Sequence, residues 1–167
     1  SFTMLFCDCL ATTIMSIKKF SKENFFLYHK GGNLGAKLRL AKDIMVTGKK
    51  IPVIDHNKNF SQAIRIMNKK KLGIVVVTKN KFIKGLITDG DVRRVLNSSK
   101  KQKDLNKIVR NYPLVINENM PATKALAIMN EKKITSLLVV SDRYKNKKNK
   151  ILKGIIHIHF LLKDGIN

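Results

Sequence analysis

With 167 residues, 44% of them hydrophobic, the chain has enough material for two small packed units, and no apolar run approaches the ~20 residues of a membrane-spanning helix. Its formal charge of +23, from 34 basic against 11 acidic residues, suits anionic partners: sugar phosphates, nucleotides, nucleic acid or anionic lipid. Cys7 and Cys9 give no disulfide framework and are expected as reduced thiols of a partly buried helix in a cytoplasmic protein.

The charge is carried almost wholly by lysine. Arginine occurs only at Arg39, Arg65, Arg93, Arg94, Arg110 and Arg143. Arginine is the side chain whose planar fork matches phosphate and base edges, so the composition argues against a nucleic-acid reader. Abundant Lys, Asn and Ile fit an AT-biased coding sequence instead. Lys69–Lys71 suit the C-terminal end of a helix, where positive charge is favoured, and Lys145–Lys150 form a polar insert.

In chain order, Leu5, Phe6, Leu10, Ile14 and Ile17 fall at helical spacing through residues 4–18. Asp8 and the lack of a basic leader argue against a signal peptide here, and the opening at Ser1 reads as an interior start. Ser21 is a candidate N-cap for a short helix carrying Phe25, Phe26 and Tyr28. A glycine-bearing turn, Tyr28 to Gly35, follows. Gly31-Gly32-x-x-Gly35 lacks the Lys-Ser/Thr pair of a phosphate-binding P-loop.

From Ala41 onward the chain repeats itself. The first unit has an extended piece at Pro52–Ile54, then a helix with Phe60, Ala63, Ile64 and Met67 on one face. A strand Gly73–Val77, a turn at Lys79-Asn80, a strand Phe82–Ile87 and a helix capped at Thr88-Asp89 complete it. The second unit has Leu114–Ile116, then a helix opened by Pro121 with Ala122, Ala125, Leu126 and Met129 on one face. The strands Ser136–Val140 and Ile151–Ile156 and a helix near His159 close it. Met129 lies 62 residues after Met67 and Gly154 lies 69 after Gly85; the difference is an insertion in the second hairpin. Residues 97–104 link the units.

Each unit is therefore β-α-β-β-α, an α/β (α+β) fold whose apolar strands need cover on both faces. One such unit has a small core. Two units packed sheet to sheet satisfy both needs and leave a cleft as the natural ligand site.

This repeat, with Asp43-Ile44-Met45 before it and Gly85-Leu86-Ile87-Thr88-Asp89-Gly90-Asp91 at its first strand–helix junction, resembles a tandem pair of cystathionine-β-synthase (CBS) domains over residues 41–164. The domains implied are 41–97 and 105–167. The resemblance implies that Thr88 and Asp91, with Gly85 allowing close approach, contact the ribose and phosphate of a nucleotide-like effector. A helix cap alone would also explain Thr88 and a first-turn carboxylate Asp91. In the second unit His157 and Phe160 stand at those places, so if only one nucleoside site works it is expected to be the one with Thr88 and Asp91. His157 and His159 share a face if the strand runs through both, but no acidic or thiol neighbour supports a metal site.

Asp8-Cys9-Leu10-Ala11, Phe25 and His29-x-Gly31-Gly32-x-Leu34-Gly35-x-Lys37-Leu38 resemble the end of the sugar-isomerase (SIS) domain of bacterial D-arabinose-5-phosphate isomerases. Ile134-Thr135-Ser136 and His157-x-His159-x-Leu161-Leu162 are similar to the same family. The resemblance implies that residues 1–40 are the C-terminal remnant of a SIS domain and that His29 holds a catalytic position. It also implies a place in Kdo and lipopolysaccharide biosynthesis, and assembly into a homodimer or higher. Lys30 and Cys7 depart from the family's proline and glycine. The family's other catalytic residues, a lysine and two glutamates, have no counterpart from Ser1 onward, so this chain alone is expected to lack isomerase activity. No cofactor or metal is expected, and a nucleotide or sugar-nucleotide effector is. The alternatives are a basic nucleic-acid binder and a purely structural dimerisation module.

Overall fold

The computed structural model describes residues 1–21, 24, 38–98, 104–141 and 150–166. The glycine-bearing turn with His29, most of the linker and most of the Lys145–Lys150 insert lie outside the described residues. Ser21 does accept a hydrogen bond from the Asn24 amide at 3.3 Å, as an N-cap would.

Helix α1 (Phe2–Ile17) comes first, and none of its residues is buried: Cys7 and Cys9 are exposed, contrary to the partly buried helix expected, because no described element packs over its apolar side. The body of the protein then runs α2 (Ala41–Ile44), β1 (Val46–Thr47), a 3₁₀ turn at Gly48–Lys50, β2 (Val53–Asp55), α3 (Phe60–Lys70), β3 (Ile74–Lys79), β4 (Phe82–Thr88) and α4 (Asp89–Asn97). The second half runs α5 (Leu105–Ile108), β5 (Arg110–Asn111), β6 (Val115–Asn117), α6 (Ala122–Lys132), β7 (Ser136–Val140), β8 (Leu152–His157) and α7 (Ile158–Lys163).

Local chemistry explains these boundaries. Helix α3 begins in a capping box: Asn59 accepts from the Gln62 amide at 2.9 Å and Gln62 accepts from the Asn59 amide at 3.2 Å. It ends at Lys71, in the left-handed region, as α6 ends at Lys133. The β3–β4 hairpin turns through Asn80 and Lys81, both with positive φ, which matches the twist of the flanking strands.

The sheets have the orders β2-β3-β4-β5 and β1-β8-β7-β6. Each repeat therefore lends its leading strand to the other. β1 pairs with β8, and β5 pairs with β4. The preceding helices follow their strands: Leu105 and Val109 pack in the core of the first repeat, Ala41 and Ile44 in that of the second. This exchange lay outside the pattern of the sequence, because two-residue strands carry no periodicity.

Strand alternation divides the apolar side chains between two surfaces. Val75, Val77 and Ile87 face the helices of their own repeat. Leu137, Val139 and Ile156 do the same in the second. Leu72, Ile74 and Val76 instead form one cluster with Leu138 and Ile155, which is the seam between the sheets. A bridge between Phe82 and Ile151 ties the hairpins together across it. The expected sheet-to-sheet packing of near-identical repeats is thus present.

Candidate functional site: the cleft between the repeats

Thr88 is the last residue of β4 and the N-cap of α4. Its hydroxyl oxygen accepts from the Asp91 amide at 3.3 Å. In return Asp91 Oδ2 accepts from the Thr88 amide at 2.9 Å and from its hydroxyl at 2.6 Å. Asp91 Oδ1 accepts from Arg110 Nε at 2.8 Å and from Arg94 Nη2. Asp91 is only 6% exposed. Burial alone would raise its pKa, but the hydrogen bonds from Thr88, Arg110 and Arg94 outweigh it and hold the carboxyl below the ordinary aspartate range.

A carboxylate offers about four acceptor positions, and all of this one's are engaged within the chain. Asp91 thereby fixes the Thr88 junction and steers Arg110. The helix-cap role of both residues is realised in full.

In front of them lies a cleft of about 420 Å³. Ile74, Leu86 and Thr88 come from the first repeat, Arg110–Leu114 from the crossing segment, and Lys133–Ser136 from the second repeat. No carboxylate is among the lining residues, whereas Arg110 and Lys133 are. The left-handed backbone of Lys133 is held by its amide, which donates to Met129 and Asn130 carbonyls. Ser136 Oγ is buried with no hydrogen-bond partner among the described residues. A buried hydroxyl left unpaired costs about 1–3 kcal/mol, which a polar ligand group would relieve.

Of the residues the sequence singled out, Thr88 lines the cleft and Asp91 stands behind it. Gly85 has a different neighbour from the one expected. A Cβ there would lie 2.3 Å from the Arg110 carbonyl oxygen and from Val109 Cγ1. The close approach is made by β5 of the chain itself. Gly154 matches it in the second repeat, against Met45 and the Val46 carbonyl. His29 lies outside the described residues. Arg110, Tyr112 and Lys133 were missed. The signal for Arg110 was its place 64 residues after Val46, visible only once α2 and α5 are aligned as repeat elements. Thr135 stands out in the sequence only through the family pattern, and Ser136 through that pattern and as the start of its strand.

At the equivalent junction of the second repeat, His157 is the N-cap of α7, its Nδ1 accepting from the His159 amide at 3.2 Å. The two rings are tilted 31° to one another with centroids 4.9 Å apart. Among the described residues no group of three His, Cys, Asp or Glu could hold a metal ion, and no helix is long and apolar enough to cross a membrane.

Two β-α-β-β-α repeats, joined by exchanged strands around a cleft with hydroxyls and cations on its lip, define a tandem pair of small α/β modules. The chain belongs to the CBS domain family, whose profile matches residues 41–98 and 104–159. It is 38% identical over 96% of its length to an uncharacterised protein of Rickettsia prowazekii, covering 48% of it. It is 33% identical over 98% of its length to arabinose 5-phosphate isomerase KdsD of Yersinia pestis, covering 49% of it. The chain thus spans about half the length of these relatives. Among solved structures, the CBS domain pair of protein MJ0100, in complex with 5′-methylthioadenosine and S-adenosyl-L-methionine, matches with a TM-score of 0.65. That match has 19% identity and covers 75% of this chain and 94% of that one. CBSX2 in complex with AMP matches with a TM-score of 0.64 and 20% identity, covering 75% and 95%. At these identities the structural likeness establishes the fold.

Proposed function

We propose that this chain is the effector-binding part of a D-arabinose-5-phosphate isomerase of the Kdo and lipopolysaccharide route, and that its cleft takes a nucleotide or sugar nucleotide. The observation that carries the reading is the cleft's lining: apolar walls from Ile74, Leu86 and Leu114, hydroxyls from Thr88, Thr135 and Ser136, and cations from Arg110 and Lys133. Apolar walls suit a base, hydroxyls suit a ribose, and Lys133 together with Arg110, which Asp91 holds through Nε, suits a phosphate. The ligands carried by the structural neighbours, AMP among them, favour the same chemistry.

In this reading Thr88 meets the ribose, Asp91 holds Thr88 and Arg110 in place, and Gly85 lets β5 bring Arg110 to the cleft. His29 would serve the isomerase half, with the chain alone inactive. Helix α1 exposes Phe2, Leu5, Phe6, Leu10, Ile14 and Ile17. That apolar surface is the proposed seam with the SIS half, and a homodimer of the pairs is the proposed assembly. Ligand binding would act by shifting the population of conformations in which that half is open to substrate.

Calorimetry with AMP, ATP and CMP-Kdo tests this reading. Binding by at least one is expected, weakened about tenfold or more in Thr88→Val, with the variant's folding checked by thermal melting. Absence of binding by all three, or binding untouched by Thr88→Val, would remove the site.

A further inference from the structure

Tyr112 follows β5 with φ at +58°. A bulky side chain is rarely found in this left-handed region, because Cβ crowds the neighbouring carbonyl. The repeat supplies its own comparison. Gly48 follows β1 as Tyr112 follows β5, and it has φ at +59°. The same bend is made once with glycine, which adopts it freely, and once with tyrosine.

Burial does not compensate, since Tyr112 is 95% exposed. Its position does distinguish it. Tyr112 lines the 420 Å³ cleft and also an adjoining cleft of about 720 Å³, bounded by Ile83, Lys84 and Lys150. It therefore stands on the rim shared by both. Pro113 follows it, which fixes the next φ and limits how far the segment can swing. Tyrosine gives a large rigid face for little conformational entropy, and every nucleobase offers a π-face to it.

We propose that Tyr112 is a stacking platform for the planar base of the cleft's ligand, retained in an unfavourable backbone conformation because that conformation holds the ring at the rim. The proposal rests on the nucleotide reading above and adds the residue that would grip the base. Stacking on an aromatic side chain is sequence-tolerant but favours the larger purine face.

The test is the Tyr112→Gly chain titrated with AMP, and with CMP-Kdo in parallel, beside Tyr112→Phe. A merely structural tyrosine would lower stability and affinity together. A strained stacking residue predicts opposite signs. In Tyr112→Gly, affinity falls about tenfold or more while the melting temperature holds or rises; in Tyr112→Phe, affinity is kept. Unchanged affinity in Tyr112→Gly with normal binding by the parent chain would overturn the stacking role and leave the nucleotide site standing. A changed oligomeric mass in Tyr112→Gly would make Tyr112 an interface residue and overturn it too. No binding by the parent chain would sink both.

Discussion

At the end of β4 the first repeat places Thr88 and Asp91; at the end of β8 the second places His157 and Phe160. The exchanged strands carry the contrast further. Arg110 on β5 reaches Asp91, whereas Val46 on β1 packs with Phe160 against the cluster between the sheets. One junction is closed by a buried, hydrogen-bonded charge and the other by apolar contact. The backbone is nearly the same in both: Asp89 donates to the Gly73 carbonyl at 3.0 Å, and Ile158 donates to the Thr135 carbonyl at 2.9 Å. The two junctions therefore share one frame, and a few side chains give one of them a buried polar network and the other apolar packing.

The sharpest way to break this comparison is at the paired glycines. Gly85→Ala would drive a methyl group into the Arg110 carbonyl, which cannot yield without moving β5. A loss of about 2–3 kcal/mol is expected in urea unfolding. Gly154→Ala meets chiefly the flexible Met45 side chain, with the Val46 carbonyl at 2.9 Å behind it. A smaller loss, about 1 kcal/mol, is expected. Equal losses would mean that β1 and β5 are held alike.

Acid separates the two caps next. The Asp91 carboxyl is held below its ordinary value of 3.8, so its stabilisation is present above that pH and is lost as pH falls through the lower folded value. Burial, with a contribution from nearby His159, depresses the His157 pKa below 6.5. The fold thus prefers neutral His157, and its stability declines once pH falls below 6.5. Protonation would also remove the Nδ1 acceptor that caps α7. Unfolding free energy followed from pH 8 to pH 3 should show a shallow decline below 6.5, abolished by His157→Asn, and a steeper one in strong acid, reduced by Asp91→Asn. A single acid transition unaffected by His157→Asn would contradict the account of the second cap.

Much of the frame was legible because it rests on periodicity. Met67 and Met129 fall on helices, and Val75–Val77 and Leu138–Val140 fall on strands apolar on both faces. The Thr88 cap was legible because a hydroxyl three residues before a carboxylate is a local signal. The lining from Arg110 to Leu114 was not. It comes from a short segment whose strand pairs across the repeat boundary, and its neighbours are set by tertiary exchange. Gly85 was flagged as a place of close approach, but sequence could not say that the chain's own Arg110 makes it.

The asymmetry of the two junctions is tested most directly by the stoichiometry of binding of whichever of AMP, ATP and CMP-Kdo the chain takes, measured by calorimetry at saturation. One ligand per chain is predicted, with heat removed by Thr88→Val and left in place by His157→Ala. Two equivalent sites per chain, or a single site lost with His157 and indifferent to Thr88, would contradict it.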